Sequence, residues 1–166
     1  TAPKAKGNDT MDFQISALDE HHFKHLVGAT DEELAASGAR RVVADSNPGY
    51  PCRVSLRDAR VGEPLILTNF VHLTAPGPYR ASHAVFFIEG ETRTQPDVNS
   101  VPPLFRQRLL SVRAFNTEQF MIGADVAPGS QLEACIENLS KLGGVDFLHI
   151  HNAKPGCYAA KVDFIR

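Results

Sequence analysis

The chain has 166 residues and a formal net charge of −2, from 17 basic and 19 acidic residues. Hydrophobic residues make up 43% of it and charged residues 22%, values that are typical of a folded globular protein and exclude a disordered one. The charge balance also argues against nucleic acid as a partner, because general nucleic-acid binders carry a clear basic excess.

No stretch approaches the roughly 18 apolar residues of a membrane helix, so we expect no membrane association. The spacing of Cys52, Cys135 and Cys157 matches neither a zinc finger nor a disulfide framework. We therefore expect a cytoplasmic protein with reduced thiols. Residues 1–10 are polar, and we expect them to be a disordered or added leader, followed by a single globular domain at 11–166.

The first predicted elements are two short helices. The stretch DEHHFKHLV places Phe23, Leu26 and Val27 on one face, and Gly28 ends it. The stretch TDEELAAS begins with a threonine and a glutamate in capping-box spacing, which predicts that each side chain binds the other residue's backbone amide.

After these helices the hydrophobic period changes to two, which is typical of strands. The pattern predicts strands at RRVVAD and CRVSL, separated by the turn SNPGYP. In CRVSL, Cys52, Val54 and Leu56 share one face, and Arg53 shares the other with Arg57. That arginine face could bind an anion, but we expect a solvated surface neutralised by neighbouring acidic residues.

Further strands are predicted at PLILTNFVHL, HAVFFIE, LLSVRAF and FMIGADV, and VDFLHIHN and CYAAKVDFI close the chain. A helical turn is predicted at VPPLFRQR. The strongest helix prediction covers residues 131–142, with Ser130 and Glu133 as a second capping box. Its apolar stripe consists of Leu132, Cys135, Ile136, Leu139 and Leu142.

Short turns between consecutive strands imply antiparallel pairing. The expected fold class is therefore α+β: a mainly antiparallel sheet, with one long helix in the C-terminal half and the short N-terminal helices packed on it.

The stretch HIHNAKPGCYAAKV carries the most reactive chemistry. His149 and His151 share a strand face, and we expect that face to be the more open one, because Leu148 and Ile150 on the other are natural core residues. The imidazoles could be hydrogen-bonded sheet residues, or metal ligands with Cys157.

The hairpin register bears on the metal hypothesis. A loop at 153–156 would place His151 opposite Tyr158, with Cys157 on the other face. A loop that runs one residue longer would place Cys157 in the turn. Neither register stacks both imidazoles with the thiol, so a metal site would need a ligand from elsewhere, such as His72 or His83. We expect no cofactor, no metal ligands, and less than one equivalent of zinc, because only two candidate ligands are locally organised.

A second polar stretch, APGPYRASH, offers Tyr79 and Arg80 in a rigid loop, where an arginine can hold a carboxylate or phosphate through two hydrogen bonds. The leading hypothesis is a small anionic molecule as ligand, bound by Tyr79, Arg80 and His149. His151 would act as general base or hydrogen-bond partner, and Cys157 as a reactive thiol. It requires that the Arg80 loop and the hairpin meet in space.

The alternatives are a protein-interaction module with no catalytic activity, or a weak histidine-based metal site. A concave pocket would favour the ligand binder, and a flat apolar face would favour the module. The sequence leaves the oligomeric state open.

The phrases GARRVVAD, YPCRVSLRDA, PYRAS and HIHNAKPGCYAAKVD resemble the bacterial family known as domain of unknown function 1203. The resemblance runs in order from about Phe13 to Asp163. It implies a stand-alone bacterial domain and supplies no catalytic residues.

Overall fold

The computed structural model describes residues 11–166, and the leader expected at residues 1–10 lies outside them. Strands alternate with short helical segments. The strands are β1 (Asp12–Ser16), β2 (Arg40–Val43), β3 (Pro64–Leu73), β4 (Ala81–Phe87), β5 (Leu109–Phe115), β6 (Met121–Pro128), β7 (Phe147–Asn152) and β8 (Tyr158–Ile165). The α-helices are α1 (Asp31–Ala36) and α2 (Leu132–Ser140), and 3-10 helices span Glu20–Leu26, Pro103–Phe105 and Gly129–Gln131.

The strands form two antiparallel sheets rather than one. The larger sheet has the order β1-β8-β7-β5-β6, and the smaller has the order β2-β3-β4. Every pairing between named strands is antiparallel. The α+β class with mainly antiparallel pairing is therefore confirmed, and its division into two sheets is the feature that periodicity did not predict.

The larger sheet lies between α2 and the smaller sheet. Leu148 and Ile150 of β7 belong to the same core cluster as Ile136 of α2. On the opposite face, Tyr158 of β8 packs into the cluster that contains Leu65 of β3. Every residue of β7 is consequently buried. The expectation that His149 and His151 lie on an open face is wrong, because the smaller sheet covers that face.

Both predicted N-terminal helical segments form and pack on the smaller sheet, but the first is a 3-10 helix and Val27 of its predicted apolar face is exposed. The Thr30 hydroxyl accepts from the Glu33 amide at 3.2 Å, and the Glu33 carboxylate accepts from the Thr30 amide at 2.9 Å. Leu26 and Leu34 are buried in the core cluster of that sheet. The predicted capping box thus fixes the start of α1.

Helix α2 differs from its prediction at both ends. It has nine residues and continues a three-residue 3-10 turn, so it is shorter than the long helix expected. Its N-cap is Gln131, with no side-chain cap hydrogen bond. The predicted capping box fails because Glu133 binds Arg106 in two parallel hydrogen bonds of 2.7 and 2.8 Å.

The strand predicted at CRVSL is wrong. The chain there folds into a tight turn in which the Leu56 amide donates to the Cys52 carbonyl oxygen at 3.0 Å. Leu56 has φ +52°, a left-handed conformation that interrupts any strand. Cys52 and Leu56 are buried as expected, but so is Arg53, which is only 1% exposed. The strand β1, where Phe13 and Ile15 alternate inward, was not predicted at all.

None of the helices in residues 11–166 has the length and apolar character needed to cross a membrane.

Candidate functional site

Four histidines meet between the two sheets. His149 and His151 project from β7 of the larger sheet, and His72 and His83 project from β3 and β4 of the smaller one. His151 is 0% exposed and His149 is 3% exposed, while His72 and His83 are half-buried. The ring of Tyr158 stacks on His72 at 5.1 Å between centroids and closes one side of the cluster. We call His72, His83, His149 and His151 the histidine cluster.

Irregularities in the strands help to place these rings. The β3–β4 register shifts between Val71 and Leu73, so His72 lies at a bulge. A second shift lies between Ile150 and His151 in the β7–β8 pair. Bulges turn side chains out of the regular alternation and recur beside functional sites.

The hydrogen bonds within the cluster form a chain of imidazoles. His83 Nδ1 lies 2.8 Å from His72 Nε2, and His72 Nδ1 lies 3.3 Å from His149 Nδ1. His151 stands apart from this chain because its Nδ1 lies 3.0 Å from the Gly156 carbonyl oxygen. A carbonyl only accepts, so Nδ1 of His151 carries the proton and Nε2 carries a lone pair. That Nε2 is buried and has no hydrogen-bond partner among the described residues.

Burial keeps these imidazoles neutral at pH 7. Desolvation is the main cause that lowers the pKa of His72 to about 4, of His149 to about 2 and of His151 to about 3. The pKa of His83 is lowered for the same reason. A nitrogen with a pKa near 3 is a poor general base at neutral pH, so this environment disfavours the base role predicted for His151.

Neutral imidazole nitrogens are metal ligands. One ring nitrogen from each of His72, His149 and His151 lies within 4.8 Å of the others, which is close enough for the three to share one ion. The requirement that a metal site recruit a ligand from outside the hairpin is therefore met by His72.

The hairpin adopts the first of the two predicted registers. His151 pairs with Tyr158, and the loop closes where the Gly156 amide donates to the Asn152 carbonyl oxygen at 2.8 Å. Cys157 consequently points away from the histidine cluster and contacts a different partner, Arg53.

Arg53 is a buried guanidinium that no carboxylate neutralises among residues 11–166. Its Nε donates to the Tyr158 carbonyl oxygen and its Nη1 to the Pro51 carbonyl oxygen, both at 2.7 Å, and its Nη2 donates to the Cys157 sulfur at 3.1 Å. Burial lowers the pKa of Arg53. The side-chain amide of Asn152 also donates to the sulfur, through Nδ2 at 3.4 Å, so two N–H donors converge on it.

A cavity of about 320 Å³ opens beside this contact. Its polar and charged lining residues include Arg53, Arg108, Lys154, Asn152 and Cys157, and no acidic residue among 11–166 lines it. Arg108 is held by Asp58 through hydrogen bonds of 2.6 and 2.9 Å. The cavity thus presents two cations that lack an acidic partner within the described chain, beside the half-buried Cys157 thiol. We call it the Arg53 cavity.

The predicted loop residues Tyr79 and Arg80 do not line the Arg53 cavity. Arg80 is exposed, and its Nη1 donates to the Thr74 carbonyl oxygen at 2.7 Å. Tyr79 packs edge-on against Phe120 with centroids 5.5 Å apart. No hydrogen bond between described residues joins Arg80 to His149, His151 or Cys157, and a composite site made of these residues stays a prediction.

Sequence reasoning missed Arg53 as a site residue. The alternation of CRVSL placed it on a solvated face, where its neighbour Arg57 does form the expected ion pair with Glu63, whereas Asp58 pairs with Arg108 instead. The turn residues Pro48, Gly49 and Pro51 around it were the available signal, because they mark an irregular segment rather than a strand.

The family described as Protein of unknown function (DUF1203) matches residues 49–163. This range contains the histidine cluster and the contact between Arg53 and Cys157, whereas the resemblance noted from about Phe13 is not covered before residue 49. No curated protein and no solved structure is significantly similar to the chain. Because the match spans more than half of its length, the chain belongs to the DUF1203 family.

Proposed function

We propose that this protein binds a small anionic molecule, a carboxylate or a phosphate, in the Arg53 cavity. The observation that carries the proposal is the buried Arg53 guanidinium without a carboxylate partner in the described chain. A buried charge is costly unless it is paired and hydrogen-bonded. An anion bound beside Arg53 would supply the missing pair.

The donor inventory of Arg53 leaves room for such a ligand. A guanidinium has five N–H donors, and the described contacts use three of them. Lys154 adds an exposed cation, and Asn152 adds a side-chain amide. A volume of about 320 Å³ lies at the lower end of ligand cavities, which suits a molecule of metabolite size.

Cys157 adds a thiol to the lining of the cavity. The Nη2 of Arg53 donates to this sulfur at 3.1 Å, so the thiol lies beside the guanidinium that would bind the anion. Binding is the primary function proposed, and thiol chemistry at Cys157 is its extension. In this scheme Arg53 takes the anion-binding role that the sequence suggested for Arg80.

Calorimetry at constant ionic strength tests the proposal. The probes are phosphate, malonate and succinate, with malonamide and succinamide as neutral counterparts of the diacids. We expect one anion site per chain and no heat from the diamides. Lys154→Met should weaken anion binding about 2–5-fold, the effect of one cation at an exposed site.

Lys141→Met is the matched control, because Lys141 is an exposed lysine just beyond the last residue of α2 and does not line the cavity. It should bind the anion as tightly as the unmodified protein. Equal binding of acids and diamides, absence of binding by all three anions, or equal losses in the two lysine variants would contradict the proposal.

A further inference from the structure

We propose that His72, His149 and His151 bind a divalent transition metal ion, zinc above all, between the two sheets. This site is separate from the Arg53 cavity, and neither proposal depends on the other. It also replaces the sequence-based expectation of less than one equivalent of zinc, which assumed only two organised ligands.

The spacing of the nitrogens fits a metal–imidazole polyhedron. Zinc–nitrogen bonds of about 2.0–2.1 Å at tetrahedral angles place two ligand nitrogens roughly 3.3–3.4 Å apart. His72 Nδ1 and His149 Nδ1 are 3.3 Å apart. The widest separation within the trio is at most 4.8 Å, and small side-chain rotations would close it.

A second, independent observation at His151 indicates that the histidine cluster binds a ligand. The Gly156 carbonyl fixes the proton on Nδ1, which leaves the lone pair of the wholly buried Nε2 without a partner in the described chain. An unpaired buried polar atom costs free energy, so natural proteins rarely keep one without a use. Coordination of a cation would satisfy it.

The second ring nitrogens of His151 and His72 are held as metal sites require. A ligating imidazole donates its other N–H to a neighbouring acceptor, which fixes the tautomer and the ring orientation. His151 Nδ1 has the Gly156 carbonyl oxygen, and His72 Nε2 has His83 Nδ1 at 2.8 Å. His83 is therefore a positioning residue for His72 rather than a ligand.

A metal-free arrangement explains less of the geometry. The chain from His83 through His72 to His149 can form with neutral imidazoles alone, since each ring offers one donor and one acceptor. That chain leaves Nε2 of His151 unpaired.

Three protein ligands leave a fourth coordination position on the metal, as in catalytic zinc sites. Because Arg113 and Lys161 add positive charge around the cluster, we expect an anionic fourth ligand such as hydroxide.

Elemental analysis of the untagged chain, purified without chelator, tests the proposal. We expect about one equivalent of transition metal. After chelator treatment, added Zn²⁺ at a hundredfold excess over its Kd should raise the unfolding temperature by about 5–10 °C. Co²⁺ should give the intense visible absorption of a four-coordinate site, a readout that needs no variant.

His72→Gln should abolish stoichiometric binding, and it removes the most exposed of the three ligands with the least risk to folding. His25→Gln, on the exposed face of the first 3-10 helix, is the matched control and should retain one equivalent. His83→Gln should weaken binding about 10–100-fold without removing it.

Several results would overturn the site. The first is that the unmodified chain neither retains metal nor gains thermal stability from Zn²⁺ or Co²⁺. The second is that a folded His72→Gln variant binds metal as tightly as the unmodified protein. Should His72→Gln fail to fold, the cobalt spectrum of the unmodified chain decides, since an octahedral spectrum would contradict the three-imidazole geometry.

Discussion

Arg53 illustrates how one residue can gather several elements around a charge. It lies in the turn before β3, and its hydrogen bonds reach Tyr158 and Cys157, more than a hundred positions away in the sequence. A guanidinium suits this position because three separate nitrogens in one plane donate to acceptors in different directions, whereas a lysine has a single nitrogen. The same geometry ties the thiol of Cys157 to the cavity wall.

The three thiols differ enough in environment to be distinguished by labelling. Cys52 is 0% exposed and Cys135 is 4% exposed, whereas Cys157 is half-buried and lines the Arg53 cavity. This order of burial confirms the sequence-based expectation. Burial raises the pKa of Cys135 to about 11 from its ordinary 9.0, which reduces its thiolate fraction at neutral pH about a hundredfold.

Brief alkylation of the native protein with iodoacetamide at neutral pH should therefore modify Cys157 first, at least about tenfold faster than Cys135. Peptide mass spectrometry measures the rates. Cys157→Ser should remove the fast phase and leave the slow one unchanged. Labelling of Cys135 at the same rate as Cys157 would mean that α2 does not protect its apolar face.

At the scale of elements, local periodicity predicted most strands and both α-helices, because alternation and capping are local properties. The local pattern gave the wrong prediction where a tertiary contact determines the structure. CRVSL alternates like a strand but folds as a turn around Arg53, and Ser130 precedes α2 like a cap while Glu133 turns to Arg106. The charged pair satisfies the glutamate better than a single backbone amide would.

The two predicted capping boxes offer a direct measurement. Thr30→Ala should lower the free energy of unfolding by about 1 kcal/mol, because it removes an observed cap from α1, whose Leu34 is anchored in the core. Ser130→Ala should change it by less than about 0.5 kcal/mol, because Ser130 is exposed and caps nothing. Urea titrations give both values. Equal losses in the two variants would show that Ser130 does stabilise α2.

At the scale of the whole molecule, the candidate sites arise from the packing of one sheet on another. His72 and His149 are 77 positions apart, and no spacing rule links them. The sequence marked His149, His151 and Cys157 as reactive, and it named His72 as a possible extra ligand. It could not show that the smaller sheet buries the imidazoles, or that the hairpin directs the thiol to Arg53, because both depend on how the sheets pack.

A charge network holds together the segments that flank the smaller sheet. Arg57 pairs with Glu63, just before β3, at 2.8 Å, and with Glu91, beyond β4. The hydrogen bond from Arg57 is the main cause that lowers the pKa of Glu63 to about 2, and the Arg60 amide adds to it. A carboxyl whose pKa is lower in the folded state stabilises the fold above its unfolded pKa of about 4.5, and this contribution is lost as the pH falls toward 2.

Glu63→Gln should therefore lower the free energy of unfolding by about 1 kcal/mol at pH 7, the upper range for a partly exposed ion pair, and by much less near pH 2. Urea midpoints between pH 7 and pH 2 measure the two profiles, which should converge over that window. Glu118→Gln is the control, because Glu118 is exposed and its carboxylate makes no hydrogen bond or ion pair within residues 11–166. It should follow the unmodified profile throughout. Parallel profiles for Glu63→Gln and the unmodified protein would mean that the network around Arg57 does not contribute to acid sensitivity, and that the segment carrying Arg53 is held by its buried contacts alone.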